Sequence, residues 1–327
     1  MATDPRNHHI VTAGYLRQFA HKGKSKVTVH RAGEEPSDQG VRAVGYVRDF
    51  WASPELAVHV EEKFGKAEDA ALKVISKIDA RWPLTAEDRT HVSLLLAVHI
   101  VRSPAFGGAM RQIGAKANRE VVAEGAVTYD LDEKQSRELE AEFGKERYHV
   151  EALLRQLPRI TSFLNSMHWT LVEFDADWVI TSDQPVVLLP YLPVPHTPAS
   201  AVPMQLGLAA TLEGWFTLNP RTLLLLSWQG GADARVGGEH RHACSVNCAL
   251  RAQTLLEWFS RPGSRPPFLS PPILQPEISR ISLELLHGYS VALAAESERR
   301  KRAEQIVMRM VQDQTPAKEL HWVIPAA

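Results

Sequence analysis

Two cysteines in a chain of 327 residues are too few for a disulfide framework, and both fall within one short stretch, at Cys244 and Cys248. Long apolar runs are also missing: the longest, Leu94 to Val101, is interrupted by His99 and is far too short to span a bilayer. The opening MATDPRNHH lacks the basic-then-apolar order of a secretory signal, so a cytoplasmic location without a membrane partner is expected. Neither sign of charge dominates. With 37 basic against 38 acidic side chains and a net charge of −1, no global field draws the chain to nucleic acid, which leaves only a local basic groove as a route to that partner. No G-x-S-x-G elbow, G-x-G-x-x-G turn or G-x-x-x-x-G-K loop is present, which removes the common serine-hydrolase and nucleotide-binding readings. No repeat of fixed period is visible. What remains is an ordinary globular composition, 44% hydrophobic and 23% charged, long enough to bury a large core.

The pattern divides into a helical part flanked by extended parts. NHHIVTAGYLRQFA places Tyr15, Leu16 and Phe19 on one helical face, and a short strand follows at Lys26 to Arg31. GEEPSDQG reads as a surface turn and Val41 to Phe50 as extended. Ser53 and Pro54 open a helix whose apolar period runs through Leu56, Val60, Phe64, Ala71, Ile75 and Ile78, with Glu61 and Glu68 sharing a face. Thr85 caps a second helix, with Asp88 three residues on, and it runs to Arg102 before Ser103-Pro104 breaks it. That segment is apolar on nearly all sides, so it is expected to be the central buried helix. Helix is expected again over Met110–Glu124, Asp130–Arg147 and Glu151–Met167.

HWTLVEFDADWVITSDQPVVLL, from His168 to Leu189, reads as a hairpin. His168–Phe174 and Trp178–Thr181 are its strands, Asp175 to Asp177 is turn material, and Pro185 interrupts the pairing before Val186–Leu189 resumes. PYLPVPHTPASAVP is an irregular connection of flap length. Gly214–Leu218 and Thr222–Trp228 form a second hairpin-like pair, QGGADARVGG is a loop, Ala243–Ser260 is helical and Arg261–Pro276 is a proline-rich arm. A last helix covers about 282–312.

Asp183 sits at a break inside buried strands, where a carboxylate either caps its own turn or meets a cation. Arg102 ends the most apolar helix and demands a counter-charge from Asp183, Glu61 or Glu68. His8 and His9 point in different directions, so at most one serves an interior site. A histidine, an arginine and two or three acids between a helical lobe and a sheet are what acid/base hydrolysis or anion recognition uses. The same set could be a buried ion-pair network. His240, His242, Cys244 and Cys248 lie within nine residues, whereas closed zinc sites draw paired ligands from separated hairpins; a reduced, metal-free cysteine pair on an apolar helix face is expected.

Several of these stretches together are similar to one family. NHHIVTAGYLRQFA resembles the H-H-Y-V-P-x-x-Y-L-x-x-F opening of DUF4238, uncharacterised bacterial proteins, carrying His9, Tyr15, Leu16, Arg17 and Phe19 while Ile10 and Thr12 replace the usual aromatic and proline. VEEKFGKAEDAALKVISKI resembles its two-glutamate helix with Glu61 and Glu68, and LLLAVHIVRSP its buried helix ending at Arg102. WVITSDQPVVLL resembles its S-D-N-P-V hallmark with Gln184 in place of asparagine, and VNCALRAQTLLEW its helix beginning at Asn247. The resemblance runs from about residue 7 to 262 and implies no activity.

The resulting expectation is a single α+β domain. A helical lobe of about 53–167 packs on a mainly antiparallel sheet of about 7–50 plus 168–260, closed by a C-terminal helical arm of about 261–327. His9, Glu68, Arg102 and Asp183 are the candidate catalytic residues, and Glu61, Arg17, Gln184 and Asn247 the candidate binding residues. The expected activity is hydrolase-type, on nucleic acid or another phosphorylated substrate; the other reading is a non-enzymatic binding or regulatory protein. The ligand and any cofactor stay unknown from sequence.

Overall fold

The computed structural model describes residues 7–48, 54–143, 150, 153–190, 211–228 and 232–268. The expected cap at Ser53, the 191–210 connection and the arm and helix from residue 269 onward lie outside the described residues. The chain groups into two compact units, residues 1–111 with 146–287, and 112–145 with 288–327. In the second unit α6 (Glu133–Phe143) is described, with Leu139 fully buried. All that follows concerns the first unit. Mixed α+β architecture holds, with antiparallel and mixed open sheets.

The helical part begins with α1 (Ala13–Leu16), which continues into a 3₁₀ turn at Arg17–Phe19. Its cap is Thr12, in extended backbone at φ −75°, with its hydroxyl accepting the Tyr15 amide at 3.4 Å. That φ lies in the range a proline ring imposes, so threonine at the family's usual proline position keeps the same entry angle and adds a hydroxyl. α2 (Pro54–Ile75) ends before α3 (Ile78–Arg81), so the period seen in sequence spans two helices. α4 (Ala86–Arg102) is capped by Thr85 Oγ1, which accepts the Asp88 amide at 3.1 Å. The Asp88 carboxylate does not return the bond but takes Arg81 with both oxygens at 2.9 Å. From Leu95 to Arg102 every α4 residue is buried, as an apolar run sandwiched by α2 and by α7 (Leu157–Ser166) requires. α5 (Pro104–Thr128) starts at the proline that stops α4.

Three sheets carry the extended segments. β1 (Asn7–His9) pairs antiparallel with β4 (Tyr46–Arg48), setting His9 opposite Tyr46. β5 (His168–Glu173), β7 (Val186–Pro190), β8 (Thr211–Asn219), β9 (Thr222–Ser227) and β10 (Ala234–Gly237) form one sheet in the order β10-β5-β9-β8-β7. β2 (Lys26–Arg31), β3 (Ser37–Gly40), β6 (Thr181–Ser182) and β11 (Glu257–Ser260) form another in the order β3-β2-β11-β6. The β8–β9 hairpin matches the sequence reading. The 168–181 hairpin does not form: β5 pairs with β9 and β10, while residues 181–182 cross to β11 in the other sheet.

Other boundaries also change. The polar half of GEEPSDQG is strand β3, and the expected loop 229–238 contains β10, which pairs parallel with β5. Asp233 directs that pairing by accepting the Trp169 amide at 3.0 Å and an Arg89 ion pair. The expected helix 243–260 is α8 (His240–Gln253) followed by a turn and β11. The N-terminal strands thus build sheets of their own rather than extending the Trp169–Trp228 sheet.

The main core fills the space between α2, α4, α7 and the inner faces of the sheets. Tyr15 lies at its centre, stacked on Phe216 at 5.0 Å, with its hydroxyl donating to the Thr217 carbonyl at 2.5 Å. Burying that hydroxyl raises its pKa, and the bonded threonines oppose the shift.

A buried arginine cluster as candidate functional site

Arg102 ends α4 with 2% of its surface exposed, and its guanidinium lies over the Phe64 ring at 4.7 Å. Glu61, Phe64 and Glu68 share the face of α2 that meets it, as their spacing implies. Of the three carboxylates the sequence offered, Glu61 makes the direct ion pair, through Nη2. Glu68 acts on the same guanidinium through space. Burial works against the arginine's charge, and the two glutamates support it.

Glu68 is 8% exposed and accepts the Thr12 hydroxyl. Burial raises its carboxyl above the usual range, while Thr12, Arg102 and the Tyr15 amide pull it down. Gly14 is the reason α1 can approach this close, since a Cβ there would stand 2.6 Å from Glu68 Oε1 and 2.7 Å from Leu72 Cδ1.

His9 reaches the same place from β1 and is half-buried, its ring edge-on to Tyr46 at 6.2 Å. Burial and the positive charge of Arg102 lower its pKa, with Glu61 opposing, so the imidazole is neutral at pH 7. Below it on α4 is His99, 1% exposed, between Tyr15 at 5.1 Å and Phe216 at 5.7 Å. Burial and Arg102 push His99 down to about 3, with the Ile10 backbone working the other way, although neither ring nitrogen reaches hydrogen-bonding geometry. His9 Nε2, both His99 nitrogens, and Arg102 Nε and Nη1 are buried with no hydrogen-bond partner among the described residues. Unpaired buried polar atoms are rare enough that several around one guanidinium mark a place built to receive a polar group.

The other candidates lie apart from this cluster. Asp183 is fully buried, but it does not meet Arg102. Its carboxylate accepts the consecutive amides of Leu255, Leu256 and Glu257, and its own amide donates to the Glu257 carbonyl at 3.0 Å. It therefore pins the turn between α8 and β11, which is the turn-capping role the sequence also allowed, through a non-local turn. Burial raises its pKa to about 6, with Glu257 adding and the three amides opposing.

Gln184 and Gln253 each donate to the other's backbone carbonyl, clasping the β6–β7 link to the end of α8. Asn247 is fully buried, accepts the Ile180 amide at 3.0 Å, and donates to the carbonyls of Trp178 at 2.8 Å and Pro267 at 2.9 Å. Both are braces with their polar capacity spent on backbone. Arg17 is exposed on the 3₁₀ turn, with no side-chain bond among the described residues.

Cys244 and Cys248 are both 5% exposed on α8, and Cys244 Sγ lies 3.7 Å from His240 Nδ1. Among the described residues, no three His, Cys, Asp or Glu side chains gather where they could hold a metal. No described helix is long and apolar enough to cross a membrane.

The residues that converge, His9, Tyr15, Glu61, Glu68 and Arg102, are those of the N-terminal motif and the two helices after it. A family model described as "Protein of unknown function (DUF4238)" matches residues 7–228, which contain all of them. The chain belongs to DUF4238. No curated protein and no solved structure matches it. In this DUF4238 chain the sequence motifs separate by role, with the first three meeting at Arg102 and the S-D-Q-P and Asn247 stretches bracing backbone. Thr12 and His99 were not singled out from sequence. His99 had a signal, as the one polar residue inside Leu94–Val101.

Proposed function

We propose that the Arg102 cluster is the working centre of a hydrolase-type enzyme acting on a phosphorylated substrate, a class that includes nucleic acid. In this reading Arg102 holds the substrate's oxyanion and His9 is the acid/base group. Glu61 and Glu68 orient and balance the guanidinium. The observation that carries it is the set of unpaired buried donors, Arg102 Nε and Nη1, beside a neutral His9 whose Nε2 is also unpaired. A neutral imidazole can take a proton from an attacking water, and a guanidinium stabilises charge developing on a phosphoryl oxygen. Asp183 has no part in it, because its carboxylate is committed to three amides. The test is release of p-nitrophenol from mono- and diester p-nitrophenyl phosphates, and cleavage of a short single-stranded oligonucleotide. His9→Ala should lower turnover by about a hundredfold or more with its melt unchanged. No hydrolysis of any of these by the wild-type chain would refute the reading.

A second reading rests on a different observation: the unpaired atoms of His9 and Arg102 expose essentially no surface. In that case the cluster is an ion-pair network joining β1, α1, α2 and α4 in a non-enzymatic binding or regulatory protein. Arg102→Met separates the two, since replacing a buried ion pair by an apolar side chain is often tolerated in stability, whereas catalysis needs the guanidinium.

A further inference from the structure

Two carboxylates face one guanidinium. Glu61 pairs with it and Glu68 bears on it, so the trio already carries one negative charge in excess when all are ionised. Bringing a doubly charged anion to the same buried place would add repulsion where charge is least screened. The three groups also differ in freedom. Arg102 is 2% exposed and Glu68 8%, with Glu68 tied to Thr12, whereas the Glu61 side chain is 31% exposed. Glu61 is the member that can swing into water at low cost.

We propose that Glu61 is a built-in stand-in for the ligand, and that a singly charged phosphodiester takes its place on Arg102. The inference rests on the hydrolase reading above and narrows its substrate. The exchange conserves buried charge, as one monoanion replaces another on the guanidinium and the Glu61 carboxylate regains its hydration. A phosphodiester presents two non-bridging oxygens sharing one charge, the same valence a carboxylate offers to the arginine fork. It also supplies acceptors to Nε and Nη1, which Glu61 leaves unpaired. A phosphomonoester is a dianion through most of the neutral range and leaves a surplus negative charge beside Glu68.

Calorimetric titration at pH 7.5 with dimethyl phosphate and with methyl phosphate, on the wild-type chain and on Glu61→Gln, tests this. Removing the internal competitor should tighten dimethyl phosphate by about tenfold, and wild type and variant alike should prefer it to methyl phosphate. Should Glu61→Gln fail to fold, Glu61→Asp, whose shorter side chain weakens the pair but keeps a counter-charge, should tighten dimethyl phosphate in the same direction by less. Equal dimethyl phosphate affinity in wild type and variant, or a preference for methyl phosphate, overturns the inference and leaves the hydrolase reading standing. Failure of both phosphates to bind either protein removes both.

Discussion

Replacing Asn247 should cost far more than an ordinary surface change, and the manner of the loss should depend on pH. Its Oδ1 accepts the Ile180 amide, its Nδ2 donates to the carbonyls of Trp178 and Pro267, and none of its surface is exposed. Asn247→Leu keeps the volume and strands one buried N–H and two carbonyls. At about 1–3 kcal/mol for each unsatisfied group, partly recovered by relaxation, the expected loss is about 3–6 kcal/mol. Asn247→Asp keeps the shape but turns a carboxylate oxygen toward two carbonyl oxygens. The carboxyl can restore only one of the two donated bonds, and only when protonated, so its folded pKa must rise above the unfolded value of about 3.9. The folded variant then holds its proton more tightly than the unfolded one, and its stability falls as pH rises above about 4. Urea melts at pH 5 and 7.5 measure this. The Asp variant should show the larger deficit at pH 7.5, with the Leu deficit nearly constant. An Asp variant equally stable at both, or a Leu variant within about 1 kcal/mol of wild type, would refute the bracing role.

Gly14→Ala should destabilise by about 1–3 kcal/mol in the same melts, because the new methyl meets the Glu68 carboxylate and Leu72, and neither can retreat freely from the core. His99 is held neutral with its pKa near 3 in the fold against 6.5 unfolded. The unfolded chain therefore takes up this proton first, and stability that is complete above pH 6.5 is lost as pH falls toward 3, by roughly 4–5 kcal/mol in full. His99→Leu should flatten the acid limb of the stability profile between pH 6.5 and 4; an unchanged slope would refute the assignment.

What could be read from sequence was local. The Thr85 cap, the stop at Pro104, the buried face of α4 and the β8–β9 hairpin each depend on residues a few positions apart. The failures share a cause. Trp178–Thr181 has the composition of a strand next to β5, yet residues 181–182 pair with β11, and no nearby residue encodes that choice. β10 is mostly exposed and polar, so it lacks alternation, and its parallel pairing is fixed from outside by Asp233 and Arg89. The site followed the same division. Arg102 announced its need for a carboxylate by ending an apolar helix, and Glu61 met it. The partners of Asp183 could not be read, because they are backbone amides of a turn more than 70 positions away.

β2 lies between β3, its neighbour in sequence, and β11, which begins at residue 257. During synthesis, at about 5–20 residues per second, one whole edge of β2 waits on the order of tens of seconds for its partner to leave the ribosome. Through that interval the edge offers a row of unpaired N–H and C=O groups to any passing strand. The exposed Lys26 at the start of β2 and the charged Arg31 at its end are the residues placed to discourage such encounters until the chain's last described strand arrives.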